Sequence, residues 1–432
     1  MDGHATSSRG GSLNVIIVGA GIGGLTLALF LQRARIDCRI YESAPEIRPL
    51  GVGINILPHA SQAFAELGID AALTRASILT REAVFFNRFG QLIHREPLGR
   101  YAGYEHPQYS VHRGEVQQVL LDAVSERLGA NSVVTGCKCI AIEQDKGGAV
   151  AHFQSAVTGE SLSSQRADVV VGCDGLHSTV RKLLHPQEGP PLYSGVNMWR
   201  GVTLWPPILS GASMIRAGWL KTGKMVIYPI RDNVDGSGQQ LINWVAELET
   251  PRHTNRDWTR IGSADDFIGA FEAWHFDWLD VPQLIRRAEM ILEFPMVDQD
   301  PLPWWSQGRV SLLGDAAHPM YPRGSNGAGQ AILDARALAE VLRSHQDPVD
   351  ALKSYEAERL PFTAEVVRMN RRNPPDAILR EVFERTGDKP FARVEDVISE
   401  DELVALSEGY KRVAGFDRES LAARAPLRSQ NS

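Results

Sequence analysis

The sequence predicts an α/β fold in which a parallel-sheet domain is interrupted by an inserted, mainly antiparallel β-sheet and followed by a helical tail. Three observations predict it. The stretch "NVIIVGAGIGGLTLALFLQRARIDCRIYE", residues 14 to 42, reads as strand, glycine turn, helix, strand and acid. Between about 190 and 295, "MWRGVTLW", "KMVIYPI" and "QQLINWVAEL" are rich in the aromatic and branched residues that suit strands. After about 372 the chain becomes polar and helical in tendency.

Each element follows from its residues. Val15 to Val18 is a continuous apolar run, as a parallel strand buried on both faces requires. Gly19, Gly21 and Gly24 form G-x-G-x-x-G between that strand and an apolar helix over 25–34. Gly19 permits the tight turn, Gly21 lets a pyrophosphate approach the backbone, and Gly24 lets the helix pack on the strand. The free N–H groups at the helix start favour a phosphate. Cys38 to Tyr41 returns as the second strand, and Glu42 follows Gly24 by 18 residues, near the spacing of a ribose-binding acid. A ligand-free glycine turn is the plain alternative, and the strand context with Glu42 outweighs it.

Further on, "EVQQVLLDAVSERL" over 115–128 presents Val116, Val119, Leu120 and Val124 on one helical face. "ADVVVGCDG" (167–175) and "GRVSLLGDAAH" (308–318) read as buried strands ending in turns, and "AGQAILDARALAEVLRSH" (328–345) as an amphipathic helix. The expected division is a discontinuous Rossmann-like domain over 13–80, 105–189 and 296–372, a β-sheet substrate domain over 81–104 and 190–295, and a helical tail over 373–432.

Composition narrows the function. A formal charge of −7 on 432 residues leaves no basic footprint, which argues against nucleic acid or an anionic membrane. No apolar run reaches the length that spans a bilayer. Four cysteines make no disulfide framework, and Cys137-x-Cys139 lacks the second pair of a zinc site, so no metal is expected. "MDGHATSSRGGS" at the start has no apolar signal segment and reads as a flexible leader. The expectation is a cytoplasmic protein, monomer or homodimer.

Two later motifs, "GCDGLHSTVR" (172–181) and "LLGDAAHPMYPRGSNGAGQAILDA" (312–335), each read alone as a loop leading into a helix. With the fingerprint they form an ordered triple. The sequence thereby resembles the single-component flavin-dependent aromatic hydroxylases, whose founder acts on 4-hydroxybenzoate, over roughly residues 13 to 370. The stretches "IRPLGVGINILPHA", "YSVHRGEVQQVLL" and "FPMVDQDPLPWWSQGRVSLLGDAAHPMYPRGSNGAGQAILD" look most like the phenazine-hydroxylating branch.

The resemblance implies bound FAD, with Glu42 on its ribose and Arg113 on its phosphate side. Asp174 is expected near the nucleotide-binding region and Asp315 on the ribityl chain or pyrophosphate. Amides of Asn326, Gly327 and Ala328 are expected to face the flavin edge, where a helix N-terminus favours negative charge. Arg48 and the loop 50–55 with Gly53 would back the isoalloxazine. Pro322 and Gly327 are the expected catalytic positions, Pro322 lying beside flavin and substrate. Trp199, Tyr228 and Trp244 are expected pocket walls, with Pro322, although core packing explains any of the three aromatics equally well. His318 in "GDAAH" is read as structural. "KMVIYPI" (224–230) lacks the histidine that several salicylate- and hydroxybenzoate-type relatives carry there, which speaks against a simple phenolate substrate.

The implied reaction is insertion of one atom of O2 into an aromatic or heteroaromatic small molecule through a flavin C4a-hydroperoxide, with NADH or NADPH as transient reductant. The same oxygen chemistry run as epoxidation, oxidative decarboxylation or Baeyer–Villiger insertion stays open. So does a non-oxygenating flavin oxidoreductase, and a non-catalytic flavin scaffold comes last.

Overall fold

A computed structural model describes residues 13–48, 51–250, 261–372 and 374–423. The leader 1–12, Leu50 of the expected flavin loop and the last nine residues of the tail lie outside the described residues.

The apolar runs pair as a five-stranded parallel sheet in the order Val310–Leu312, Val169–Gly172, Asn14–Val18, Asp37–Tyr41, Val133–Val134. Val15 to Val18 and Val169 to Val171 are buried on both faces, so unbroken apolar runs were required there. Helix Ile22–Arg33 packs between Arg113–Leu128 and Gly327–Ser344. It begins three residues before the expected start, because Gly23 and Gly24 are themselves helical. A Cβ on Gly24 would lie 2.0 Å from the Gly19 carbonyl oxygen, and one on Gly23 would lie 2.9 Å from Leu313. At Gly24, where the obstacle is backbone, only hydrogen fits; at Gly23 the Leu313 side chain would have to move. Helix Arg113–Leu128 also starts early, where the His112 ring accepts the Gly114 N–H at 3.2 Å.

Cys137 and Cys139 alternate inward along strand Cys137–Asp145 of a three-stranded antiparallel sheet, and both are buried thiols. The larger second sheet has seven strands, ordered Ile291–Asp298, Leu192–Trp205, Gln240–Glu249, Gly223–Arg231, Ser213–Trp219, Glu82–Phe86, Leu92–Pro97. All neighbours run antiparallel except Glu82–Phe86 beside Ser213–Trp219. Its last strand in sequence passes the expected boundary at 295 and runs to Asp298.

Register assigns the side chains to faces. Trp199, Gly201, Trp244 and Ile227 share one face, packed on Phe267, Phe271 and Trp274. Arg200, Val245, Val226, Asn243 and Tyr228 share the other. The tail helices Ala377–Thr386 and Glu400–Val413 cover part of that second face, where Ile378, Leu379, Val382 and Leu403 join Ala83, Phe85, Met214 and Tyr228 in one core. At the root of the tail, buried Asp376 pairs with Lys224 and, at 3.2 Å, with Arg216; Lys224 also holds Glu247 at 3.0 Å. Burial alone would raise the Asp376 carboxyl, but Lys224 and Arg216 outweigh it and hold it below its ordinary value.

The first face leaves no slack. A Cβ on Gly201 would lie 2.3 Å from the Trp244 ring. Gly201→Ala should therefore cost about 1–3 kcal/mol of stability through overpacking, read as a lowered urea midpoint with unchanged slope.

Candidate active site

Three segments meet at the edge of the parallel sheet. At the first, Gly19 has φ +107°, and a Cβ there would lie 2.5 Å from the Cys173 carbonyl oxygen, so the fingerprint turn abuts the backbone of the 172–181 motif. Gly21 caps helix Ile22–Arg33, no side chain bonds to the helix start, and nothing lies within 4 Å of the space a Cβ would enter. The half-buried Glu42 carboxylate accepts the Ala20 and Ala44 N–H groups, both at 2.7 Å, and so stands beside the turn.

At the second, Asp174 turns inward. Its carboxylate accepts Thr179 N–H at 2.7 Å, Val180 N–H at 3.2 Å and the Ser178 hydroxyl, capping helix Thr179–Leu184, and burial pushes its pKa up. Buried Arg181 of that helix donates to the Ala316 and Ala317 carbonyls at 2.9 and 2.8 Å, tying this motif to the late one.

At the third, exposed Asp315 stands on the turn Gly314–Ala316, its Oδ1 3.6 Å from where a Gly327 Cβ would be. Helix Gly327–Ser344 starts without any side-chain cap on its first amides. Gly23 and Gly314 both approach Ala331, so this helix start and that of Ile22–Arg33 open at the same end of the sheet. Beneath it a polar network is fully buried. Asp334 accepts Gly314 N–H at 3.1 Å, His318 Nε2–H at 2.6 Å and Arg359 Nε–H at 2.7 Å. Arg359 donates to Gln330 Oε1 at 2.8 Å, and Gln330 to Asn326 Oδ1 at 3.3 Å. His318 is thus held by Asp334 beneath the turn. Pro322 is exposed on the loop before this helix, where Gly324 and Ser325 have φ +77° and +56°.

The seven-stranded sheet presents its second face to these segments. Tyr321 packs against Met198 and Val245. Gly53 donates to Asn243 Oδ1 at 2.7 Å and accepts from Arg200 at 3.2 Å, and a Cβ on Gly53 would collide with Asn243 and Tyr228 at 2.7 Å. The Arg200 guanidinium lies beside the Tyr228 phenol. Burial lowers the Arg200 pKa and raises that of Tyr228, leaving a neutral phenol beside a cation. Among the described residues no carboxylate forms an ion pair with Arg200, and its buried Nε has no hydrogen-bond partner.

The expected pocket wall therefore divides. Tyr228 stands here, but Trp199 and Trp244 lie on the opposite face, where Trp199 stacks on Phe267 at 4.8 Å and Trp244 donates to Thr203 at 3.0 Å. Core packing accounts for both. Arg113 is exposed at its helix start, its side chain near Gly51, and Arg48 is exposed and paired with Glu46 at 2.8 Å. Arg200 and Asn243 escaped the sequence reading, though both stand in strands it quoted; only the register across the sheet puts them on Tyr228's side.

The family model described as FAD binding domain matches residues 12–201 and 296–370. The chain belongs to that family. It is 46% identical to the phenazine 1,6-dicarboxylic acid hydroxylase PhzS of Lysobacter antibioticus, over 83% of this chain and 89% of the relative. It is 32% identical to a 3-amino-4-hydroxybenzoate 2-monooxygenase of Streptomyces platensis, over 83% and 86%. The structure of Klebsiella pneumoniae HpxO complexed with FAD and uric acid superposes with a TM-score of 0.74 at 23% identity, covering 95% of this chain and 97% of that one, a likeness of fold. The chain is accordingly an FAD-dependent aromatic monooxygenase of this family, which uses NAD(P)H and O2. No helix among the described residues is long and apolar enough to cross a membrane.

The residues fit the cofactor. Two uncapped helix starts opening at one end, with open space at Gly21 and a carboxylate at Glu42, suit an anionic dinucleotide.

Asp334 makes the site acid-sensitive. Burial alone would raise its carboxyl, but His318 and Arg359 hold it below its ordinary 3.8. A depressed carboxyl contributes stability that is complete above 3.8 and lost as pH falls through the lower folded value. Asp334→Ala should cost about 3–5 kcal/mol at neutral pH by stranding Arg359. The difference from the parent in urea melts should shrink below about pH 4.

Proposed function

We propose that this monooxygenase oxygenates an aromatic or heteroaromatic acid, and that the carboxylate of that substrate docks on Arg200 and Tyr228. The observation that carries the reading is the guanidinium without a carboxylate partner, facing Gly53 with a free buried Nε. A buried cation without a counter-charge is costly; an anionic substrate would complete it with charge-assisted bonds. The relatives above act, by their names, on a phenazine dicarboxylic acid and an aminohydroxybenzoate, both aromatic acids.

The rest of the assignment follows from the same geometry. Gly19, Gly21 and Gly24 would give the pyrophosphate close access to the backbone, and Glu42 would hold the ribose. Arg113, Arg48 and Gly53 would flank the cofactor from the loop side, with Asp174 setting the adjoining turn and Asp315 reaching the polar chain. When bound, FAD accepts a hydride from NADH or NADPH and, with O2, supplies the inserted oxygen atom. Amides of Asn326, Gly327 and Ala328 would stabilise negative charge at the ring edge. Pro322 would border both rings. Tyr228, neutral beside Arg200, would donate its hydroxyl to the docked acid. Met198, Val245 and Tyr321 keep that face apolar and dry. In this reading 13–80, 105–189 and 296–372 hold FAD, and 81–104 with 190–295 hold substrate. We place the enzyme in the cytoplasm, acting on a free small molecule as monomer or homodimer.

A panel of phenazine, quinoline and benzoic acids beside their amides tests the reading. Acids should stimulate NAD(P)H oxidation and take label from 18O2. Arg200→Met should lower kcat/KM for an acid roughly 10- to 100-fold while leaving the amide nearly unchanged. Equal turnover of acids and amides by the parent enzyme would overturn the reading.

A further inference from the structure

The tail reaches the loop that leads into the flavin-facing helix. Helix Glu400–Val413 opens with a capping box between Ser399 and Glu402 and buries Leu403, Ser407 and Tyr410 along one stripe. Its register is set by one acid of the substrate sheet: Glu96 accepts from Ser407 at 2.7 Å and from Lys411 at 2.8 Å. That register delivers the Tyr410 hydroxyl into the core beside the loop. It accepts from Asn326 Nδ2 at 2.9 Å and donates to Asn370 Oδ1 at 2.7 Å, while Asn370 Nδ2 donates to the Tyr321 carbonyl at 3.2 Å. Asn370 and Tyr410 thus clamp both ends of the loop. The fit is close: a Cβ on Gly324 would lie 2.0 Å from the Tyr410 oxygen. Gln330 adds a bond from the flavin-facing helix to the Ala414 carbonyl at 3.3 Å, and Phe416 stacks on His59.

The loop needs such a clamp. Gly324 and Ser325 are consecutive left-handed residues, and Ser325 is not glycine, so the conformation is strained. Burial raises the Tyr410 pKa, so the hydroxyl stays protonated and can donate and accept at once.

We propose that Tyr410 is a positioning residue for oxygenation: through Asn326 it holds the 322–328 loop so that the Gly327 and Ala328 amides stay presented to the flavin. This rests on the assignment of those amides to the flavin edge. It makes the tail part of the oxygenation site, at a distance from the substrate acid group.

The test uses the full-length holoenzyme. Tyr410→Phe removes one hydroxyl and keeps the ring. It should lower kcat about 5- to 20-fold with little change in KM for the aromatic acid. The flavin's midpoint potential should become more negative, its visible circular dichroism should change, and peroxide released per NAD(P)H should rise. Asn370→Ala, which removes the other end of the clamp, should shift potential and dichroism the same way. The double variant should fall short of the sum of the two singles, since both lose the bond between the Tyr410 hydroxyl and Asn370. An unchanged potential and dichroism in either folded single variant overturns the proposal, and so does a normal Asn370→Ala beside an unfolded Tyr410→Phe. Gly327→Val separates the two levels. If it leaves FAD affinity and spectrum unchanged, the flavin-edge assignment fails; if it weakens FAD while Tyr410→Phe is silent, only the clamp fails.

Discussion

One buried carboxylate, that of Asp334, constrains the rest. It has no access to water, and leaving it or its partners unpaired would cost several kcal/mol. Its three donors come from the late turn at Gly314, from His318 just beyond it, and from Arg359 on a separate helix. Satisfying the charge therefore fixes the turn that carries Asp315 against the helix that starts at Gly327. Arg359 passes the constraint on through Gln330 to Asn326. The open helix start is braced from beneath by this carboxylate, whose two oxygens are satisfied by three donors.

The two Asp-Gly pairings of the later motifs look alike in sequence and differ in space. Asp174 faces into its own chain and caps a helix, whereas Asp315 is exposed beside Gly327. The residue that joins the motifs is neither acid but Arg181, whose guanidinium spans two carbonyls of the late turn. The triple marks the family, yet the mechanical link within it is a residue to which the motif alone assigns no role.

What was legible in the sequence was local. The fingerprint strand, turn, helix and acid lie within 29 residues, and each is dictated by sterics or by apolar runs that need no distant partner. The inserted sheet was legible as strands but not as faces. Trp199 and Arg200 are neighbours pointing opposite ways, and only pairing with residues 243–246 and the packing of Phe267 decides which way is inward. Aromatic type alone pointed to both tryptophans, and packing took them into the far core. The tail was legible as helix; that Tyr410 ends beside Asn326 follows from Glu96, some three hundred residues upstream.

The edge position of strand Val310–Leu312 has a consequence for synthesis. Its partner Val169–Gly172 leaves the ribosome roughly 140 residues earlier, about 7–28 s at ordinary elongation rates. During that interval five strands of the seven-stranded sheet emerge, while its strand Glu82–Phe86, made earlier, waits for Ser213–Trp219. The nascent chain therefore carries an unpaired, fully apolar strand edge at Val169–Gly172 until Val310–Leu312 has emerged. Only then can the five-stranded parallel sheet be completed, after every strand of the seven-stranded sheet has been made.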